Sequence, residues 1–224
     1  MSMQSPASHR RSMNEKRLFF LLVACALSAQ LTMQAADEPS PLTIPVRIHL
    51  VQSNAEPSLN TTLTEGDVQR VLGNVNRIWA QAAIRFEAES ISKLTAISNQ
   101  SVEKDASDRW VVESMPKERL LKNGLNIFYV KELTPNGFYS NGLIFVKETA
   151  KLSAVPGGVD EPLQRVTSHE LGHALGLPHR QDVTNLMASG KTGFLLNAME
   201  IETARATAQA MLGTSIKEET KEKK

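Results

Sequence analysis

Residues 169–179 read HELGHALGLPH and place three histidines and one glutamate within eleven positions. The chain has five histidines in all, and only His9 and His49 lie outside this segment. Imidazole nitrogens are common zinc ligands, and a carboxylate beside them is suited to proton transfer in metal-assisted hydrolysis. The segment therefore predicts a metal site that carries out chemistry.

A helix that begins near Glu161 and Pro162 would carry the first part of the segment, because proline is tolerated in a first helical turn. On that helix His169 and His173 are four residues apart, so both imidazoles project from one face and can bind one metal ion. Glu170 is turned roughly 100° away around the helix axis. It can therefore flank the metal as a general base without binding it.

The chain must leave this helix if His179 is to reach the same metal. Gly176 is predicted to break the helix by adopting left-handed backbone, and Pro178 prevents the helix from resuming. Three protein nitrogens leave a fourth coordination position for water, which distinguishes a catalytic zinc from a structural one. The only cysteine, Cys25, is far away in the sequence, so no thiolate closes the site.

HELGHALGLPH resembles the zinc-binding consensus of the metzincin metallopeptidases, H-E-x-x-H-x-x-G-x-x-H. The segment NLMASG (185–190) is similar to the methionine turn of that group, with Met187 as its turn residue. The spacing from His179 to Met187 is closest to that of the matrixin branch. The resemblance is tight over about 161–190 and extends to about residue 213.

The resemblance implies a zinc endopeptidase with one zinc ion, bound by His169, His173 and His179, and with Glu170 as general base. It also implies that a peptide or protein substrate lies extended along the edge strand of the sheet. The best candidate for that edge is the segment GFYS, which would line the substrate cleft. Its residues are Gly137, Phe138, Tyr139 and Ser140.

The chain departs from the family pattern in several respects. No cysteine-switch propeptide is found, and the mature protein has no cysteine to make one. The extra histidines and aspartates that form structural zinc and calcium sites in matrixins are not evident either. After Met187 it reads ASGKTGF where the family carries Pro-x-Tyr in the wall of its specificity pocket. No tyrosine stands two residues after Met187, which argues against a fifth, tyrosine ligand.

Hydrophobic periodicity predicts the elements that must position these residues. The predicted elements are strands 42–51, 84–90, 125–133 and 143–148, helix 64–83 with a Thr64–Asp67 cap, the motif helix, and helix 197–213 ended by Gly213. Asn-Gly pairs at 136–137 and 141–142 predict turns. His49 falls on the polar phase of the first strand, which favours an exposed or hydrogen-bonded histidine over a ligand.

These elements predict an α+β fold with α/β character. In the metzincin plan this would be a twisted mixed sheet of about five strands with a backing helix, the active-site helix and a C-terminal helix. The catalytic domain is expected over 37–213, as a monomer, and 214–224 is expected to be a charged, solvated tail.

Residues 1–36 predict a signal peptide, because basic residues precede an apolar run at 18–29 that is too short to span a bilayer. The protein is therefore expected in the periplasm or outside the cell. The segment LVAC also resembles a bacterial lipobox, and membrane attachment is expected only if Cys25 is lipidated.

Without the leader the chain carries 21 basic and 23 acidic residues, a net charge of −2. The mature chain therefore has no excess of positive charge that would favour nucleic-acid binding.

A second hypothesis is a zinc-binding pseudopeptidase that serves as a recognition module, tethered to a membrane if Cys25 is lipidated. The intact Glu170 argues against it, because a scaffold has no physical need for that carboxylate. A purely structural zinc domain fails because a fourth protein ligand is missing.

Overall fold

The structure is a computed structural model that describes residues 39–97 and 109–222. The predicted signal peptide, with Cys25, lies outside the described residues. In the described ranges, no helix combines the length and the apolar character needed to cross a membrane.

In the described part of the chain, five strands form one mixed sheet with the order β2-β1-β3-β5-β4. The strands are β1 (Leu42–Gln52), β2 (Ile84–Thr95), β3 (Leu125–Val130), β4 (Gly137–Ser140) and β5 (Leu143–Lys147). Neighbouring strands are parallel except for β4, which is antiparallel to β5 and forms one edge of the sheet. The predicted mixed sheet of about five strands is confirmed.

Four α-helices lie in the same described ranges. They are α1 (Glu65–Trp79), α2 (Arg109–Glu113), α3 (Pro162–Ala174) and α4 (Ala198–Glu222). Helix α1 begins with the predicted capping box, in which the Thr64 side chain accepts from the Asp67 N–H and the Asp67 side chain accepts from the Thr64 N–H. This box satisfies backbone donors that a helix start otherwise leaves free.

Helix α4 does not end at Gly213, so that prediction was wrong: the helix runs on to Glu222. Gly213 is not among the glycines with positive φ, and a single interior glycine weakens a helix by only about 1 kcal/mol. The sequence that follows is rich in Glu and Lys, which are good helix formers.

Apolar side chains cover both faces of the sheet. One face packs against α1, α3 and α4 through residues such as Ile48, Val75 and Leu171. The opposite face carries Phe128 and Phe145 in a second cluster with Val111, Met115 and Leu120. Because successive strand residues point to opposite faces, His49 and Val51 of β1 lie on the side of this second layer and are buried.

His49 is buried by this second layer and is only 1% exposed. Its ring stacks on Phe128 with the centroids 4.6 Å apart, and its Nε2 lies 3.4 Å from the Asn126 Oδ1. The expectation of an exposed histidine was wrong, while the hydrogen-bonded alternative agrees with the structure. Strand alternation alone does not reveal a second covering layer.

The two Asn-Gly pairs have different structures. Asn141 and Gly142 have φ values of 48° and 83°, as a two-residue turn between antiparallel strands requires, and they join β4 to β5. The pair at 136–137 is not a hairpin turn, because Gly137 begins β4 and the Asn136 side chain donates to the Lys151 carbonyl at 2.8 Å.

Candidate active site

Helix α3 carries His169 and His173 four residues apart, and the chain returns after the helix to bring His179 beside them. The Nε2 atom of His173 lies 3.2 Å from that of His169 and 3.1 Å from that of His179. One donor atom from each of the three residues lies within 4.8 Å of the others. Three imidazole nitrogens thus converge on one point.

The return of the chain depends on the residue after the last helical turn. Gly176 has a φ of 82°, which is left-handed backbone that favours glycine. The N–H groups that follow bond back onto the helix: Gly176 N donates to His173 O at 3.0 Å, and Leu177 N donates to Gly172 O at 2.9 Å. This closing pattern ends α3 and turns the chain toward His179.

Backbone carbonyls fix the orientation of two of the rings. The Nδ1–H of His169 donates to the Leu186 carbonyl at 2.9 Å, and that of His173 donates to the Leu177 carbonyl at 2.8 Å. A carbonyl has no proton to give, so each Nδ1 carries the ring proton and each Nε2 keeps its lone pair. Burial lowers the pKa of His169 to about 3 and also lowers the pKa of His173, so both rings are neutral and able to ligate.

The three nitrogens fit a zinc ion. Zn–N bonds of about 2.0–2.1 Å in a tetrahedral site place ligand nitrogens about 3.3 Å apart. The two Nε2 separations of 3.1 and 3.2 Å are close to that value. Three imidazole nitrogens, two of them on rings whose Nδ1–H groups are held by carbonyls, are also the donor set of a zinc site that keeps one coordination position open.

Met187 lies against the helix that carries the first two histidines. It is completely buried, and a Cβ built on Gly172 would lie only 2.5 Å from its sulfur. Gly172 therefore lets the loop of Met187 approach α3 more closely than any other residue would. The Met187 N–H donates to the Asn185 side-chain oxygen at 2.7 Å, which holds this turn from within.

Glu170 is 5% exposed and lines a cleft next to the histidines. Burial raises the pKa of its carboxyl to about 8, although the nearby Arg165 guanidinium lowers that pKa in part. On its other side the carboxylate meets the edge strand: a Cβ built on Gly137 would lie 3.0 Å from its Oε1. The bare backbone at Gly137 is therefore needed for this close approach.

The cleft has a volume of about 680 Å³ and runs between β4 and α3. It is lined by all three histidines and Glu170, and by Gly137, Phe138 and Tyr139 of the predicted substrate-binding segment. Ser140, at the turn end of β4, is not among its lining residues. The predicted segment thus forms both the edge of the sheet and one wall of the cleft, apart from its last residue.

The sequence model of the matrixin family matches residues 86–194, which include the whole histidine segment and the Met187 turn. The chain is a metzincin-type zinc metallopeptidase. A peptidase acts on peptides or proteins, so the metallopeptidase has a peptide or protein substrate. No curated protein sequence matches it.

Several solved structures resemble the metallopeptidase. Mirolysin in complex with compound 9 is 13% identical, with a TM-score of 0.53 over 78% of this chain and 96% of mirolysin, which shows a shared fold. Archaemetzincin from Methanopyrus kandleri is 13% identical over 79% of this chain and 97% of its own, with a TM-score of 0.41. A zinc-dependent peptidase from Methanocorpusculum labreanum is 13% identical over 72% and 99%, with a TM-score of 0.31.

Arg165 is a buried cation of the metallopeptidase that was not predicted from the sequence. Arg165 is 2% exposed, and its Nη2 donates to the Ala188 carbonyl at 2.7 Å while its Nε donates to the Gly193 carbonyl. Burial lowers the pKa of this guanidinium to about 10. Arg165 thereby ties α3 to the loop after Met187. Its position one turn before His169 is the only signal that the sequence offered.

Proposed function

We propose that the metallopeptidase is an exported endopeptidase in which His169, His173 and His179 hold one zinc ion and Glu170 is the general base. The observation that carries this proposal is the convergence of three Nε2 atoms within 4.8 Å of one another. The Nδ1–H groups of His169 and His173 are held by carbonyls, and the carboxylate of Glu170 lines the same cleft.

Zinc, when bound, supplies a Lewis acid that polarises the scissile carbonyl and lowers the pKa of a water molecule. The chain's own part in the reaction is proton transfer by Glu170. Burial raises the proton affinity of this carboxylate, so it is suited to accept a proton from the attacking water and to deliver it to the leaving amine. Glu170 is only 5% exposed, so the side chains around it limit the access of bulk water to its carboxylate. This strengthens the electrostatic interactions of the carboxylate with the reacting groups.

Substrate binding is proposed along the outer edge of β4. The strand pairs with β5 on one side, and no described strand pairs with its other side. Free main-chain N–H and C=O groups on such an edge can pair with an extended peptide. Gly137, Phe138 and Tyr139 would then contact the substrate directly, while Ser140 would lie beyond the cleft.

Export is proposed from the sequence of residues 1–36, with residues 37–213 as the catalytic domain of a monomeric protein in the periplasm or outside the cell. A basic segment followed by a short apolar run supports an ordinary signal peptide. Mass spectrometry of the mature N-terminus tests this. A start after Ala35 or Ala36 supports it, whereas a lipidated Cys25 at the N-terminus would instead establish membrane anchoring.

The proposed activity is tested by incubating the purified zinc-loaded protein with a peptide library and identifying the products by mass spectrometry. We expect cleavage at internal bonds, loss of cleavage with a chelator, and recovery on addition of zinc. His173→Ala is expected to lose both the zinc and the cleavage. Full zinc occupancy in the wild type without cleavage of any peptide would contradict the endopeptidase and favour the recognition module.

A further inference from the structure

Helix α4 begins with a reciprocal cap between Asn197 and Glu200. The Glu200 N–H donates to the Asn197 Oδ1 at 3.0 Å, and the Asn197 N–H donates to the Glu200 Oε2 at 2.9 Å. Such a capping box satisfies the free donors of a helix start. It does not explain why the Glu200 side chain is only 1% exposed, because a carboxylate buried this deeply needs further donors.

Two further donors reach Glu200 from the loop that follows the third histidine. The Arg180 Nε donates to its Oε1 at 2.6 Å, and the Asn185 Nδ2 donates to its Oε2 at 2.8 Å. Arg180 is 40% exposed at the other end of this ion pair, so the carboxylate is the buried partner. Charge-assisted hydrogen bonds of this length are among the stronger ones in proteins.

The contacts lead from Glu200 to two of the three histidines. Arg180 directly follows His179, and its backbone N–H donates to the Met187 carbonyl at 2.9 Å. Asn185 directly precedes Leu186, whose carbonyl accepts from the Nδ1–H of His169 at 2.9 Å.

The other side-chain atom of Asn185 holds the methionine turn. Its Oδ1 accepts from the Met187 N–H at 2.7 Å, while its Nδ2 is the group that donates to Glu200. One carboxylate from the C-terminal helix therefore holds the loop at both of its ends. Without it, Arg180 and Asn185 would each lose the acceptor that keeps them in place.

We propose that Glu200 is a positioning residue of the metal site, whose buried carboxylate holds the 179–187 loop so that His179 and His169 stay directed at one zinc ion. This inference rests on the zinc ligands proposed above. Residues that orient metal ligands through hydrogen bonds typically change metal affinity by about 10–100-fold when they are replaced.

The test is the zinc affinity of the full chain, measured by competition with a chromophoric chelator. A glutamine at position 200 keeps the size of the side chain but has one acceptor oxygen, so it cannot serve both Arg180 and Asn185. We expect Glu200→Gln to weaken zinc binding by about 10–100-fold. Glu202→Gln, an exposed position of the same helix, removes the same charge and is expected to bind zinc like the wild type.

A second variant separates positioning from the stability of the helix. Asn197→Ala removes the side chain that caps the Glu200 N–H but leaves Arg180 and Asn185 on the carboxylate. Zinc affinity is expected to stay unchanged in Asn197→Ala. If Asn197→Ala and Glu200→Gln weaken zinc binding equally, the effect comes from the helix and the proposal is wrong.

The same titrations distinguish this proposal from the ligand set on which it rests. Zinc binding that is lost in His173→Ala but unchanged in Glu200→Gln would overturn only the positioning role of Glu200. A wild type that binds zinc no better than His173→Ala would overturn the ligand set, and the role of Glu200 with it.

Discussion

Gly137 is the point at which the edge strand meets the carboxylate of Glu170. A Cβ built there would lie 2.7 Å from the Val166 Cγ1 and 3.0 Å from the Cγ and Oε1 of Glu170. Ordinary contact begins near 3.4 Å, so Gly137→Ala must move Glu170 by about 0.4 Å and Val166 by about 0.7 Å. Since a misplacement of about 1 Å can cost about 100-fold in rate, we expect kcat to fall roughly tenfold.

The assay is steady-state kinetics on a peptide from the library experiment, with zinc content measured on the same samples. Gly137→Ala should keep its zinc, because the atoms nearest to the added Cβ belong to Val166 and Glu170 and not to the three histidines. Gly137→Ala/Val166→Ala should regain stability by relieving the contact with Val166, yet should keep the low kcat. Ser140→Ala is the control in the same strand.

Wild-type kcat in a fully zinc-loaded Gly137→Ala protein would refute this reasoning. Recovery of kcat in the double variant would also refute it, because the loss would then have come from packing against Val166. Only a loss of kcat that persists in the double variant assigns the effect to the displaced Glu170.

Two further substitutions test the packing around the site and the opposite face of the sheet. In Gly172→Ala the added Cβ would lie 2.5 Å from the Met187 sulfur. We therefore expect this variant to lower the free energy of unfolding by about 1–3 kcal/mol in urea titrations. The control is Gly73→Ala, whose Cβ would have no atom within 4 Å and should cause no such loss. Equal stability of the two variants would contradict the close packing. Burial lowers the pKa of His49 to about 4 from 6.5, so the unfolded chain binds a proton first as the pH falls. Between pH 7 and 4 the wild type should therefore lose about 3 kcal/mol more stability than His49→Phe, and parallel pH profiles would contradict this.

The sequence predicted the local parts of the site well. The helix of His169 and His173, the break at Gly176 and the edge strand at Gly137–Ser140 all depend on short-range spacing and on turn chemistry. Spacing of four residues on a helix and positive φ at a glycine are properties of a few neighbouring residues. Such features can be predicted before any tertiary contact is known.

The sequence did not predict the contacts that join distant segments. Arg165 and Glu200 are an arginine and a glutamate on helices, and both residue types are mostly exposed in proteins. Their burial follows from carbonyls and side chains 15–28 residues away along the chain. His49 was misjudged for the same reason, because the layer that covers it lies more than 60 residues later in the chain.

The central claim is that Glu170 moves the proton while three histidines hold the metal. The most direct test compares zinc content and peptide cleavage in the wild type and Glu170→Gln. We expect one zinc ion in both proteins and a fall in kcat of about 10²–10⁴-fold in the variant. Glu170→Gln that retains its zinc and cleaves at the wild-type rate would contradict the claim, because another group would then have to accept the proton.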